Sequence, residues 1–345
     1  MAGKTIGIGV MRQSRRRGAL GRGLAALGGG VLALAAAGPV AAVAAPLVAA
    51  VPLVAAAPAP ARPAGAPLRF VLIPKVSHPW FDLVHQGALR AAAMVQGQTG
   101  HPVTIEYRPP AKAEVAEQAA LLEAAIASRP SGITIDLLDA SRLRPLLERA
   151  VRERIPLTVF DSVGPEGLDL PSIGNDFCIQ AAIASERLAV LLAGKGEVAI
   201  MQGVPTAPNH AIRVRCHREV FARFPGIQVV AAPADNDSID EAERQARLTQ
   251  VAHPALSGWV TADAGGGIGI ARALKALGRQ GQVKVVALDD LPETLALIGQ
   301  GVIDSTAATR PGAQGYWSVV ALWQQGLGAP SLERFNTGIL VEKGP

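Results

Sequence analysis

The stretches VTIEYRPPAKAEVAEQAALLEAAIASRPSGITID (residues 103–136) and IQVVAAPADNDSIDEAERQARLTQVAHPALSGWVTAD (residues 227–263) share one plan. Each opens on a short apolar strand, runs through a polar loop into an amphipathic helical segment, and returns through Ser-Gly to a strand ending in Asp. Each is then followed by a further helical segment and a further apolar strand, IPLTVFD at 155–161 and VKVVALD at 283–289, again ending in Asp. The spacing agrees as well: Asp136 and Asp161 are 25 residues apart, Asp263 and Asp289 are 26 apart. A unit repeated at this length implies two similar α/β lobes, each a doubly wound parallel sheet.

Outside the repeat the same alternation continues. Candidate strands lie at 70–74, 103–107, 132–136, 156–161, 197–202, 227–231, 258–262 and 284–288, and helical segments separate nearly all of them. Strands this apolar, joined by helical crossovers, belong to parallel sheets covered on both faces. Ligands of such sheets sit beyond the carboxyl ends of the strands, where loops present groups without breaking the ladder. Several groups gather there: residues 77–81 (SHPWF), Asp136, Asp161 with Ser162, Asp263, and Asp289 with Asp290. If the lobes face each other by these ends, the two rings of the SHPWF turn line a cleft.

The chain has 345 residues, 49% of them apolar, enough for two domains once a leader is set aside. Residues 1–65 carry Lys4, Arg12, Arg15, Arg16, Arg17, Arg22 and Arg62, no acidic residue, and an Ala/Val/Leu/Gly-rich run over 24–57. This reads as an export signal over 1–57, followed by a Pro/Ala linker at 58–67. Cleavage fits after Ala45, Ala57 or a nearby small residue. The run at 14–20 resembles a twin-arginine signal, and an ordinary secretory signal fits equally. A retained membrane anchor is the rival reading, although Pro39, Pro46 and Pro52 interrupt the run. No Cys precedes Cys178, so lipid anchoring is not expected. Without the seven basic residues of 1–65, 26 basic residues remain against 28 acidic ones. That near balance offers no concentrated basic face, and nucleic acid is not an expected partner. Cys178 and Cys216 fit either one disulfide or two buried thiols.

Taken in order, SHPWF at 77–81, IPLTVFD at 155–161, Ile173 to Asp176, Arg213 to Arg215, Ala234 to Asp237, Thr261 to Asp263, Ala287 to Asp289 and Thr309 to Pro311 resemble one known family. It is the type I periplasmic sugar-binding proteins of ABC importers, the ribose- and galactose-binding group, and the resemblance spans about 68–345. It implies two lobes on a three-segment hinge, 68–175 with 310–337 and 176–309 with 338–345. It further implies a monomeric periplasmic protein without enzymatic activity, cofactor or metal, closing around a small polar, carbohydrate-like ligand. The closed form would be recognised by an inner-membrane ABC permease or, alternatively, by a sensor histidine kinase.

A sugar presents hydroxyls that donate and accept, and apolar C–H faces, so its site needs carboxylates, a fork-shaped donor and aromatic planes. By the resemblance, Trp80 and Phe81 stack on the ring, Asp161 and Asp289 accept from hydroxyls, and Arg215 donates in fork geometry. Arg213 reads as a surface or hinge partner. His78, Ser162, Asn236, Asp263 and Thr309 complete the expected ligand-binding set. The competing roles are structural: core packing for the rings, a helix N-cap or turn for each Asp. The chain departs from the family's polar pattern, with His78 in place of Asn, Ser162 of Arg, Asn236 of an aromatic, Ala262 of Asn and Thr309 of Gln or Asn. These departures widen the ligand class to polyols, modified sugars, signalling furanoses and small osmolytes.

Other classes find less in the chain. Gly265, Gly267 and Gly269 lie between a strand and a helix, but as G-x-G-x-G rather than the dinucleotide fingerprint, and a tight helix start is the preferred reading. No G-x-S-x-G is present. His78 with His85, and His210 with His217, are seven apart without a Cys or carboxylate at ligand spacing, so no metal site is expected. A sugar-responsive repressor would begin with a DNA-reading helix-turn-helix where this chain has its leader.

Overall fold

The computed structural model describes residues 66–329 and 334–343; the expected export signal and most of the linker lie outside the described residues. The first half runs β1 (Leu68–Ile73), α1 (Pro79–Thr99), β2 (Val103–Tyr107), α2 (Val115–Ala127), β3 (Gly132–Ile135), α3 (Ala140–Arg152), β4 (Leu157–Phe160) and β5 (Ser172–Gly174). The second half repeats the plan with α4 (Phe177–Leu191), β6 (Lys195–Met201), α5 (Pro208–Phe221), β7 (Gly226–Ala231), α6 (Ile239–Ala252) and β8 (Leu256–Thr261). It continues through α7 (Gly266–Ala276), β9 (Lys284–Leu288), α8 (Pro292–Gly299) and β10 (Ser305–Ala308), and the chain finishes with α9 (Pro311–Gly326), β11 (Arg334–Asn336) and β12 (Leu340–Lys343).

Two six-stranded sheets result, ordered β2-β1-β3-β4-β5-β11 and β7-β6-β8-β9-β10-β12. Position by position this is the same order, as the internal repeat implies. All pairs are parallel except β12 with β10, whose register sets Ala307 opposite Val341. The chain passes between the sheets three times: from β5 to α4, from β10 to α9, and from β11 to β12.

Both faces of each sheet are covered, which explains why the strands are apolar throughout. Leu122 and Ile126 of α2 and Leu143 and Leu147 of α3 pack with Val71, Ile133 and Val159 on one face of the first sheet. On its other face Val84 and Ala88 of α1 and Val319 of α9 pack with Phe70 and Leu72. In the second sheet Leu188 of α4 and Phe221 of α5 cover Val198, Val260 and Val286.

Small residues allow two close helix approaches. A Cβ on Gly315 of α9 would stand 1.9 Å from the Val84 carbonyl oxygen, and one on Gly87 of α1 would stand 2.0 Å from that of Gly312. The glycines of α7 act likewise: a Cβ on Gly267 would meet Ala287 at 2.6 Å, and one on Gly269 would meet Ala242 at 2.5 Å. They seat α7 on its neighbours, the tight start that the spacing favoured over a nucleotide loop. Cys178 and Cys216 form a disulfide that ties α4 to α5, with Cα atoms 5.3 Å apart.

Candidate functional site

The carboxyl ends of both sheets open onto one cleft. From the first lobe it is lined by Lys75, His78, Trp80, Phe81 and Asp161; from the second by His210, Arg213, Asp237, Asp263, Leu288 and Asp289. With the lobes as they stand the cleft is nearly shut, with ≈ 20 Å³ of free space, about one water molecule, so a small ligand is admitted only as the lobes part.

Asp161 and Asp289 are the first residues beyond β4 and β9, equivalent strands of the two lobes, and both take positive φ, 39° and 63°. Such backbone is uncommon for a non-glycine residue and recurs where a site holds it in place. Asp161 is gripped from the opposite lobe: Asn209 Nδ2 donates to its Oδ2 at 2.6 Å and Arg213 Nη2 to its Oδ1 at 3.2 Å. Arg213 is 1% exposed, and its remaining donors reach Gln180 Oε1 (2.9 Å) and the Ala262 carbonyl (3.2 Å). Asp289 Oδ1 accepts from the Thr309 amide (2.7 Å) and hydroxyl (2.5 Å), and Trp80 Nε1 donates to that same hydroxyl oxygen at 3.0 Å. Burial pushes the Asp289 carboxyl up to about 6, against the hydrogen bonds from Thr309 and the charge of Arg213.

Lys75 closes the floor of the cleft, with Nζ 2.6 Å from Asp136 Oδ2 and 5.4 Å from the centre of the Phe81 ring. Burial works to lower its pKa, but Asp136, Asp237 and Asp161 outweigh that and hold it above the ordinary lysine value. Asp263 Oδ2 accepts from the amides of Gly265 and Gly266 at 2.9 Å each, capping the start of α7. Its carboxyl is pushed up to about 7, by burial first and then by Asp237. Burial, then Lys75 and Arg213, hold His210 well below the usual histidine range.

Of the residues expected from sequence, the cleft brings together His78, Trp80, Phe81, Asp161, Asp263 and Asp289. Thr309 stands behind it, bonded to Asp289 and Trp80. Ser162 is fully buried and does not line the cleft; its carbonyl accepts from Ser172 Oγ at 2.6 Å. Asn236 is exposed at φ 55°, and Asp237 beside it faces the cleft instead. The expectation for Arg215 is corrected: its side chain is 65% exposed and pairs with Glu219 at 3.5 Å on the outer side of α5. The cleft arginine is Arg213, not a surface residue. The signal was available as helical phase, since Asn209, Arg213, Cys216 and Val220 are all buried along α5, and Arg215 falls out of that row. Lys75, His210 and Asp237 were missed; a lysine directly after an apolar strand was the visible hint for the first.

Two facing doubly wound lobes with a shared cleft at their carboxyl ends define a periplasmic binding protein. The family of the periplasmic binding protein domain matches residues 69–329, and the chain belongs to it. It is similar to the D-ribose/D-allose-binding protein of Pseudomonas aeruginosa, 25% identical over 200 residues, 56% of this chain and 62% of that protein. It also resembles the xylitol-binding protein of Mycolicibacterium smegmatis, 28% identical over 193 residues, 54% of each chain. Both matches span less than two thirds of those relatives' own length. A solved ABC transporter solute-binding protein of Burkholderia graminis in complex with D-arabinose superposes with a TM-score of 0.75 at 28% identity, covering 81% of this chain and 96% of that one. No helix among the described residues is long and apolar enough to cross a membrane.

Proposed function

We propose that this chain is the exported, periplasmic substrate-binding component of an ABC importer, monomeric and without enzymatic activity. Its lobes, 68–175 with 310–337 and 176–309 with 338–345, close around a sugar or sugar-like ligand for presentation to a permease. The observation that carries this reading is the convergence of Asp161, Arg213 and Asp289, drawn from both lobes, on one small cleft beside Trp80. The D-ribose, D-allose, xylitol and D-arabinose named for the similar proteins support it. Against hydrolysis, His217 Nδ1 is 2.6 Å from Ser185 Oγ, but its Nε2 faces the Thr261 carbonyl at 3.2 Å rather than an orienting carboxylate.

The test is a thermal-shift and calorimetric screen of the protein against neutral and amino sugars and polyols, since a ligand of the native state raises its melting temperature by mass action. For whichever compound binds, Arg213→Gln should lose about tenfold or more in affinity, because Asp161 and Gln180 then lack their buried donor. Arg215→Gln should stay within about twofold, as expected for an exposed pair. A screen without any sugar or polyol hit, or a loss confined to the Arg215 variant, overturns the reading.

A further inference from the structure

Six aspartates, Asp136, Asp161, Asp235, Asp237, Asp263 and Asp289, crowd the cleft and the layer behind it, against the cations Lys75 and Arg213. Each cation has a carboxylate neighbour, Lys75 with Asp136 at 2.6 Å and Arg213 with Asp161 at 3.2 Å, and Lys75 acts on Asp237 and Asp161 as well. The imidazoles do not balance the rest. The Trp80 amide donates to His78 Nδ1 and the Val204 amide to His210 Nδ1, which leaves the ring proton of each neutral histidine on Nε2. Burial holds both rings below their ordinary pKa. Asp235 and Asp263 are both buried, each with one carboxylate oxygen lacking a hydrogen-bond partner, and burial first, then the charge of Asp263, raise the Asp235 carboxyl well above its ordinary range. Among the described residues neither Asp237 nor Asp289 has a lysine or arginine nitrogen within 4.0 Å; the nearest basic group to Asp237 is His210, Nε2 3.8 Å from its Oδ1, while Lys75 acts on it from farther off.

Asp237 is where this excess is open to a ligand. Its side chain is 9% exposed, its Oδ2 has no hydrogen-bond partner, and the 3.8 Å between its Oδ1 and His210 Nε2 is beyond hydrogen-bond range. His78 Nε2, in a residue 8% exposed, is likewise without a partner. Gly265 keeps the neighbouring space clear, because a Cβ there would stand 3.2 Å from His78 Nε2 and 3.4 Å from Asp263 Oδ2. A metal ion is a poor occupant: among the described residues no three carboxylate or imidazole atoms of the cleft come within 4.8 Å of one another. A quaternary ammonium has no N–H for the orphan carboxylate oxygen.

Resting on the sugar-binding reading above, we propose that the ligand is an amine-bearing saccharide or polyol, whose ammonium group donates to Asp237 while a neighbouring hydroxyl accepts from His78. A neutral sugar would leave Asp237 Oδ2 without a charge-assisted donor in a dry cleft.

Calorimetric titration at neutral pH of paired probes tests this: D-glucosamine with D-glucose, D-galactosamine with D-galactose, D-mannosamine with D-mannose, and 1-amino-1-deoxysorbitol with sorbitol. The amino member of at least one pair should bind about tenfold or more tightly than its parent, the order of one charge-assisted hydrogen bond. Asp237→Asn, which keeps size and shape, should reduce that ratio to below about threefold. A merely structural Asp237 would weaken both members alike, leave the ratio unchanged, and overturn the proposal. Parents that bind as tightly as their amino members in every pair overturn it while sparing the sugar-binding reading; no binding by any member overturns both.

Discussion

Asp263 follows β8 with one carboxylate oxygen held by the Gly265 and Gly266 amides and the other buried without a hydrogen-bond partner. Its native carboxyl titrates near 7, whereas an Asp in the unfolded chain does so near 3.8. As pH rises from about 4 to 7 the unfolded chain has already released a proton that the native state still holds, so this group's contribution to stability is lost across that window and stays lost above it. Asp263→Asn keeps an acceptor for the two amides and abolishes the titration. The variant should therefore gain on the wild type in melting temperature between about pH 4.5 and pH 8. Comparing the two proteins cancels His210 and His217, whose lowered pKa values act in the opposite sense in both. A difference that is constant or narrows at the higher pH contradicts the assignment. At this scale the sequence was partly legible. A strand ending in Asp marks a carboxylate at the sheet edge, which is why Asp161, Asp263 and Asp289 could be named. Which of two arginines in one helix turns inward depends on the phase of that helix, and the polar loop before α6 carries no periodicity to say that Asp237 rather than Asn236 faces the cleft.

Elements were more legible than side chains, for a physical reason. A strand buried on both faces must be apolar along its length, and a crossover helix must show one apolar stripe; β1 to β4 and β6 to β9 carry the first signal. The three residues of β5 and the small, weakly apolar STAA of β10 do not, and they become strands because a neighbouring edge is free to pair with them. The packing of α1 on α9 yields a prediction of opposite signs. Gly97 lies in α1 with nothing within 4 Å of its would-be Cβ, whereas Gly315 abuts the Val84 carbonyl. Gly97→Ala should stabilise the protein by about 0.5–1 kcal/mol through helix propensity and lost unfolded-state freedom. Gly315→Ala, the same chemical change, should destabilise it by about 1–3 kcal/mol because the helices must separate. Denaturant unfolding of both variants decides it, and a stabilising Gly315→Ala would mean that the two helices do not approach as closely as described.

Across the cleft the lobes meet through particular side chains. Asn209 and Arg213 reach Asp161, Thr206 Oγ1 donates to the Leu138 carbonyl at 2.8 Å, and Val204 and Ala207 pack on Leu138. The internal repeat foretold two like sheets, but how closely they meet depends on these particular side chains, which no periodicity records. Val204 is 5% exposed and does not line the ligand space, so it separates closure from recognition. In Val204→Asp the closed form buries an unpaired carboxylate against Leu138, while an open form leaves it in water. The substitution therefore shifts the population toward open lobes without touching the interior of either. Ligand affinity should fall by about tenfold or more, since apparent affinity scales with the fraction of competent molecules. The melting temperature of the ligand-free protein should change little, and its radius of gyration in solution scattering should exceed that of the wild type until saturating ligand draws the two together. Unchanged affinity alongside an unchanged radius would show that this apolar contact does not hold the lobes closed.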